Sequence, residues 1–113
     1  MHRWRYLLGR PQRGDIVAIR DPLDEGLSVK RIIAMPMEEV DFSDGSVRIN
    51  GEVIPEPYLK KPHWTYPILK TRVNITLGED EYLVLGDNRT NSIDGRYYGS
   101  IDRPRILGVI NPR

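Results

Sequence analysis

Tyr82-Leu83-Val84-Leu85 is an apolar run of strand length, and it opens directly into Gly86-Asp87-Asn88-Arg89-Thr90-Asn91-Ser92-Ile93-Asp94-Gly95-Arg96. The run reads as a buried strand. The eleven residues after it hold two glycines, two arginines and two aspartates. A generic loop needs only a turn residue or two, whereas charges of both signs this close together pair and hold a shape. Arg89 and Arg96 can each grip a carboxylate through two parallel hydrogen bonds, and Asp87 and Asp94 are the nearest carboxylates in sequence. The plainer reading, a solvated charged turn, leaves that density of donors and acceptors unexplained.

Short strands broken by turns extend from this stretch in both directions. Gly14-Asp15 precedes Ile16-Val17-Ala18-Ile19, and Asp21-Pro22 ends that run. Residues 28–35 form a second β-rich run, stopped by Pro36. Glu39-Val40-Asp41-Phe42 and Ser46-Val47-Arg48-Ile49 flank Ser43-Asp44-Gly45 and predict a hairpin. Asn50-Gly51 marks another turn before Glu52-Val53-Ile54, and residues 106–110 complete the set. No window sustains a period of about 3.6 residues, so the expected fold is mainly β with little helix. Residues 55–76 differ: Pro55, Pro57, Pro62 and Pro67 interrupt them, with Tyr58, His63, Trp64 and Tyr66 interleaved. Proline lacks a backbone donor, so this segment is no central strand. It reads as a long surface excursion, either a functional arm or an insertion with its aromatics tucked onto the body. Met1 to Leu8 shows neither periodicity and reads as the middle of a longer protein.

At 113 residues the chain is the size of one domain, residues 1–113, with 55–76 as its excursion. Charged residues make up 29% of it and the net charge is +1, so no strong field draws it to nucleic acid or anionic lipid. His2, Arg3, Arg5, Arg10 and Arg13 cluster near the start without any nucleic-acid-binding motif. The absence of cysteine excludes disulfides and thiolate metal sites. With only His2 and His63, a histidine metal site or a histidine triad is not indicated, and no cofactor is suggested. No run reaches the roughly 20 apolar residues that span a bilayer, and no signal-peptide pattern opens the chain, which reads as a soluble polypeptide. Trp4, Trp64 and Tyr66 suit either a membrane interface or the core.

Lys30 is the second unusual position. In Leu27-Ser28-Val29-Lys30-Arg31-Ile32-Ile33-Ala34-Met35, strand alternation sets Ser28, Lys30, Ile32 and Ala34 on one face. Val29, Arg31, Ile33 and Met35 take the other. Two adjacent cations therefore point in opposite directions, and at least one meets an apolar or occupied face. Burial disfavours the charged form of a lysine, which can then serve as a general base. The competing reading is a lysine at a strand edge that snorkels to water and blunts aggregation.

Taken together, these segments resemble the type I signal peptidases, in order and over most of the chain from Pro11 onward. Pro11-Gln12-Arg13-Gly14-Asp15-Ile16-Val17 looks like that family's first strand, and Lys30-Arg31-Ile32-Ile33 is similar to its lysine segment. Asp44-Gly45 with Ile49-Asn50-Gly51 resembles its hairpin, and Glu56-Pro57-Tyr58-Leu59 a short motif beyond it. Gly86-Asp87-Asn88-Arg89, Asn91-Ser92, Asp94 and Arg96-Tyr97 match its charged box. The resemblance implies coiled antiparallel sheets, forming a partly open barrel, and a serine endopeptidase with a Ser-Lys dyad that removes signal peptides from exported preproteins. Lys30 takes the position of the general base that activates the nucleophile. Ser92 takes that of a serine whose hydroxyl orients the lysine. Asp87, Arg89, Asp94 and Arg96 take those of the supporting loop, and Val29 lines a shallow pocket for small residues, as in Ala-X-Ala. Substrate would add as a strand to an exposed edge. The resemblance further implies a membrane anchor and a catalytic domain on the extracytoplasmic face.

The family's nucleophile lies in a Ser-x-x-Met-x-Pro segment, and none of Ser28, Ser43, Ser46, Ser92 and Ser100 has that setting. The chain is therefore expected to carry the base and its supports without the nucleophile or the anchor, and to be inactive alone. Ala34, Met37 and Glu38 stand where the family usually has Gly, Gly and Asp, and Gly95 where it has Ser. Larger side chains at the glycine positions are expected to alter the turn after the Lys30 strand. The alternative is a non-catalytic, peptide-binding or scaffold paralogue that keeps the fold. A self-cleaving repressor of the DNA-damage response shares the chemistry, but no DNA-binding helical segment precedes these motifs.

Overall fold

A computed structural model of the chain describes residues 3–5, 11–59, 65–67 and 73–111. Ten strands form two antiparallel sheets. They are β1 (Arg3–Arg5), β2 (Ile16–Arg20), β3 (Leu27–Ala34), β4 (Glu39–Ser43), β5 (Ser46–Ile49), β6 (Glu52–Val53), β7 (Asn74–Thr76), β8 (Glu81–Leu85), β9 (Ile101–Asp102) and β10 (Ile106–Asn111). The larger sheet runs β1-β10-β2-β3-β8-β9 and the smaller β6-β5-β4-β7, and neither closes into a barrel among the described residues. The single α-helix described, α1 (Gly95–Tyr98), is one turn long. Asp94 starts it by accepting the Arg96 amide, and Gly99 stops it at φ 85°.

The turn residues place the hairpins as the sequence predicts. Asp44 and Gly45 both lie at positive φ (55° and 75°) and join β4 to β5. Asn50 and Gly51 (51° and 88°) do the same for β5 and β6. Two successive left-handed residues match the right-handed twist of the strands they join. The apolar run of β8 has its explanation in burial on both faces. Leu83 and Leu85 enter one core cluster with Ile33, Val40 and Phe42, while Tyr82 and Val84 enter the other with Val17, Ile19 and Ile32.

Three sequence expectations are corrected. Strict alternation along β3 fails after Ile32: Ile33 and Ala34 oppose Leu83 together, a β-bulge that turns Ala34 into the same cluster as Ile33. Residues 74–76, inside the proline-rich excursion, form β7 at the edge of the smaller sheet against β4. Residues 3–5, without periodicity of their own, pair with β10. His2, His63, Trp64, Arg10 and the side chains of Arg3, Trp4 and Arg5 lie outside the described residues.

Candidate active site

Lys30 stands where β3 changes neighbours. Leu27 to Arg31 pair with β2, whereas β8 joins only from Arg31 onward. On the β8 side the backbone of Leu27 to Lys30 thus forms an open edge among the described residues. Across the strand Lys30 faces Val17, which is fully buried, and two residues along its own face comes Ile32, also fully buried. The ammonium therefore emerges at the margin of an apolar face, and no hydrogen bond or ion pair engages it among the described residues. A cavity of about 200 Å³ opens there, lined by Ile16, Val29, Lys30, Arg31 and Asp87. Leu27 and Val29 keep more than half their surface in water (63% and 55%), large apolar side chains exposed along that same edge.

The loop after β8 is built around a buried ion pair. Asp94, fully buried, receives Nε and Nη2 of Arg96 at 2.9 Å each, with the Gly86 and Arg96 amides at 3.0 Å. Arg96 then donates to the carbonyls of Arg89 (2.8 Å), Tyr66 (3.3 Å) and Ser92 (3.5 Å), so one guanidinium gathers the loop around itself. The second expected pairing is different. Arg89 does not grip Asp87: its guanidinium, with no side-chain exposure, holds both oxygens of Glu56 (3.2 and 2.7 Å), Gly86 O (2.7 Å) and Thr65 Oγ1 (3.0 Å). Asp87 is instead taken by Arg31 from β3, through Nε (3.0 Å) and Nη2 (2.7 Å). Asp94 and Arg96 thus pair within the loop, whereas Asp87 and Arg89 find their partners on distant segments.

Ser92 sits against Gly86 so closely that a Cβ on Gly86 would overlap its Oγ and approach its Cβ to 2.9 Å. Glycine is therefore required at 86 for space. The Ser92 hydroxyl is buried with no hydrogen-bond partner among the described residues, so it makes no hydrogen bond to Lys30 here. Tyr98 Oη is likewise buried without a partner; burial, then the charges of Asp21 and Asp94, push its phenol above the ordinary value.

Glu56 and Tyr58 are site neighbours that residue-level reading did not weigh. The Tyr58 ring lies 3.9 Å from the Arg31 guanidinium carbon, and its hydroxyl donates to Glu56 Oε2 at 2.8 Å. Burial, then the Glu56 charge, drives the Tyr58 phenol far above its usual range. Only the short Glu56-Pro57-Tyr58-Leu59 motif flagged this place.

The turn after β3 absorbs its unusual residues. Met37 takes φ 70°, the left-handed region that glycine adopts without strain. Glu38 accepts the Met35 amide (2.7 Å) and both terminal nitrogens of Arg13 (2.7 Å each). Gly95 answers to packing: a Cβ there would come within 2.5 Å of Leu83 Cδ1 and 2.7 Å of Val84 O.

The site thus joins a free strand edge of an open mainly-β fold, a lysine without a partner among the described residues and a charged clamp. The signal peptidase, peptidase S26 family model matches residues 1–113, and the chain belongs to that family. It is 39% identical to a probable signal peptidase I-2 of Synechocystis over 91% of this chain and 48% of that protein. It is 33% identical to signal peptidase I V of Bacillus subtilis over 97% of this chain and 68% of that one. The crystal structure of a signal peptidase I from Enterococcus faecalis superposes with a TM-score of 0.79 at 33% identity, covering 93% of this chain and 100% of that chain. The chain thus spans about half the length of the Synechocystis relative. No helix among the described residues is long and apolar enough to cross a membrane.

Proposed function

We propose that this chain supplies the general-base half of a membrane-anchored serine endopeptidase that removes signal peptides from exported preproteins on the extracytoplasmic face. The observation that carries the reading is Lys30, a lysine without a partner among the described residues, in one cavity with Val29 where β3 has a free edge. An extended peptide can add to the edge of Leu27 to Lys30 by backbone hydrogen bonds, and the shallow cavity at Val29 admits a small side chain. Lys30 takes the proton of an attacking serine hydroxyl as the tetrahedral intermediate forms, and returns it to the leaving amine as that intermediate collapses to an acyl-enzyme, which water then hydrolyses. The nucleophile is a serine other than the five in this sequence. Ser92 orients Lys30 once the site is filled, its hydroxyl held against Gly86 with an acceptor to spare. Asp87, Arg89, Asp94 and Arg96 keep that loop in place.

The test is cleavage of a synthetic signal peptide ending in Ala-X-Ala. The 113-residue chain alone should be inactive, and a longer chain with a Ser-x-x-Met-x-Pro segment ahead of residue 11 should cleave. Lys30→Ala in the longer chain should abolish turnover. Turnover that survives Lys30→Ala would sink the base assignment. Binding without turnover in the longer chain would favour the scaffold alternative.

A further inference from the structure

Glu56-Pro57-Tyr58 opens the proline-rich excursion and has no part in the chemistry above, yet it touches both halves of the site. One half is β3, which carries Lys30. The other is the 86–96 loop, which carries Ser92. Beyond the backbone ladder of β3 with β8, their direct side-chain link is the pair between Arg31 and Asp87, in which the Asp87 side chain is 43% exposed. An ion pair so open to water holds its partners weakly by itself. The stronger link runs through the excursion. Arg89, whose guanidinium is wholly buried, fixes the Glu56 carboxylate at two points. Glu56 then accepts the Tyr58 hydroxyl at 2.8 Å, and the Tyr58 ring lies under Arg31 at 3.9 Å. Stacking excludes water from one face of Arg31, and the guanidinium is pinned further by Gly14 O at 2.8 Å. Pro57 stiffens the backbone between the two contacts.

We propose that Glu56 and Tyr58 are positioning residues: they clasp the Lys30 strand to the loop of Ser92, so that base and orienting hydroxyl keep one relative placement. The excursion is then a structural tie across the site, entered through its first residues. The catalytic consequence rests on the assignment of Lys30 as base, whereas the clasp itself does not.

The decisive measurement is hydrogen exchange at Arg31 Nε–H, followed by NMR in the 113-residue chain. This proton is donated to Asp87 and involves no chemistry of Lys30. Tyr58→Leu should speed its exchange about tenfold, and Tyr58→Phe, which keeps the ring, should recover most of the protection. Glu56 makes no hydrogen bond to Arg31 and reaches it directly only by its charge. Glu56→Gln should therefore speed the same exchange about threefold in the parent chain but hardly further in Tyr58→Leu, because the clasp transmits the loss. Unchanged Arg31 exchange in a folded Glu56→Gln chain would show two independent contacts and overturn the proposal. Should Glu56→Gln not fold, unchanged exchange in Tyr58→Leu overturns it equally. In a cleaving chain, Tyr58→Leu should lower kcat about tenfold with KM little changed. If Lys30→Ala proves silent while the exchange effects appear, the base assignment fails and the clasp stands.

Discussion

The 86–96 loop and the open end of β3 lie side by side and treat charge in opposite ways. In the loop, Arg89 and Arg96 are almost wholly buried, and their carboxylate partners, hydroxyl and backbone carbonyls surround them. At the open end, Lys30 has no partner among the described residues, and Leu27 and Val29 face water. A buried charge without partners is too costly to keep, so complete pairing of the two loop arginines is what a rigid frame requires. On the function proposed above, a lysine left unpaired beside an open strand edge is held ready for another molecule. The contrast divides the residues into those that hold and those that act, and substitutions can break it.

The largest effect is expected at Asp94. Asp94→Ala leaves Arg96 buried and unpaired and should cost about 3–5 kcal/mol, read as a fall in the urea midpoint. Lys30→Ala, in the same assay, should leave stability nearly unchanged while removing activity in a cleaving chain. Equal losses from both would erase the division between frame and site. Gly95→Ser follows, since the new Cβ meets the Val84 backbone at 2.7 Å, which cannot move as a side-chain tip can. A loss of about 1–3 kcal/mol is expected from such overpacking. Met37→Gly should act in the opposite direction. Met37 is 71% exposed at φ 70°, so little packing is lost when the strain is relieved. A gain of about 1 kcal/mol, seen as a raised Tm, checks it.

The smallest effect concerns acid. Hydrogen bonds from Arg13 hold the Glu38 carboxyl below its ordinary value. A group lowered on folding stabilises above its unfolded pKa, and that contribution is lost as pH falls through the folded value. The stability difference between the parent chain and Glu38→Gln should therefore be present at neutral pH and shrink below about pH 4. A difference that stays constant down to pH 2 would remove Glu38 from the acid response.

The strands most legible in the sequence were those bounded by turn chemistry. Asp44-Gly45 and Asn50-Gly51 impose backbone angles that few other residues adopt, so both hairpins could be read locally. β1 and β7 could not, because three-residue strands owe their existence to the partner strand rather than to their own pattern. The bulge at Ile33 escaped for a related reason: an extra residue is visible only against the strand it opposes. Within the site, the pair of Asp94 and Arg96 was readable because the two residues share a single turn. Arg89 with Glu56 and Arg31 with Asp87 were not, being 33 and 56 residues apart.

By itself the sequence determined a mainly-β chain, the positions of its tight turns, the lysine on β3 and the charged loop that follows β8. These are properties of residue type and short spacing, in which side-chain chemistry and backbone angles act over a few bonds. The tertiary structure alone decided which arginine holds which carboxylate, and that, among the described residues, β8 leaves the first half of β3 uncovered and the Ser92 hydroxyl stays unmatched. Those outcomes depend on where distant strands come to rest, because charge pairing and burial act through space and are indifferent to order along the chain.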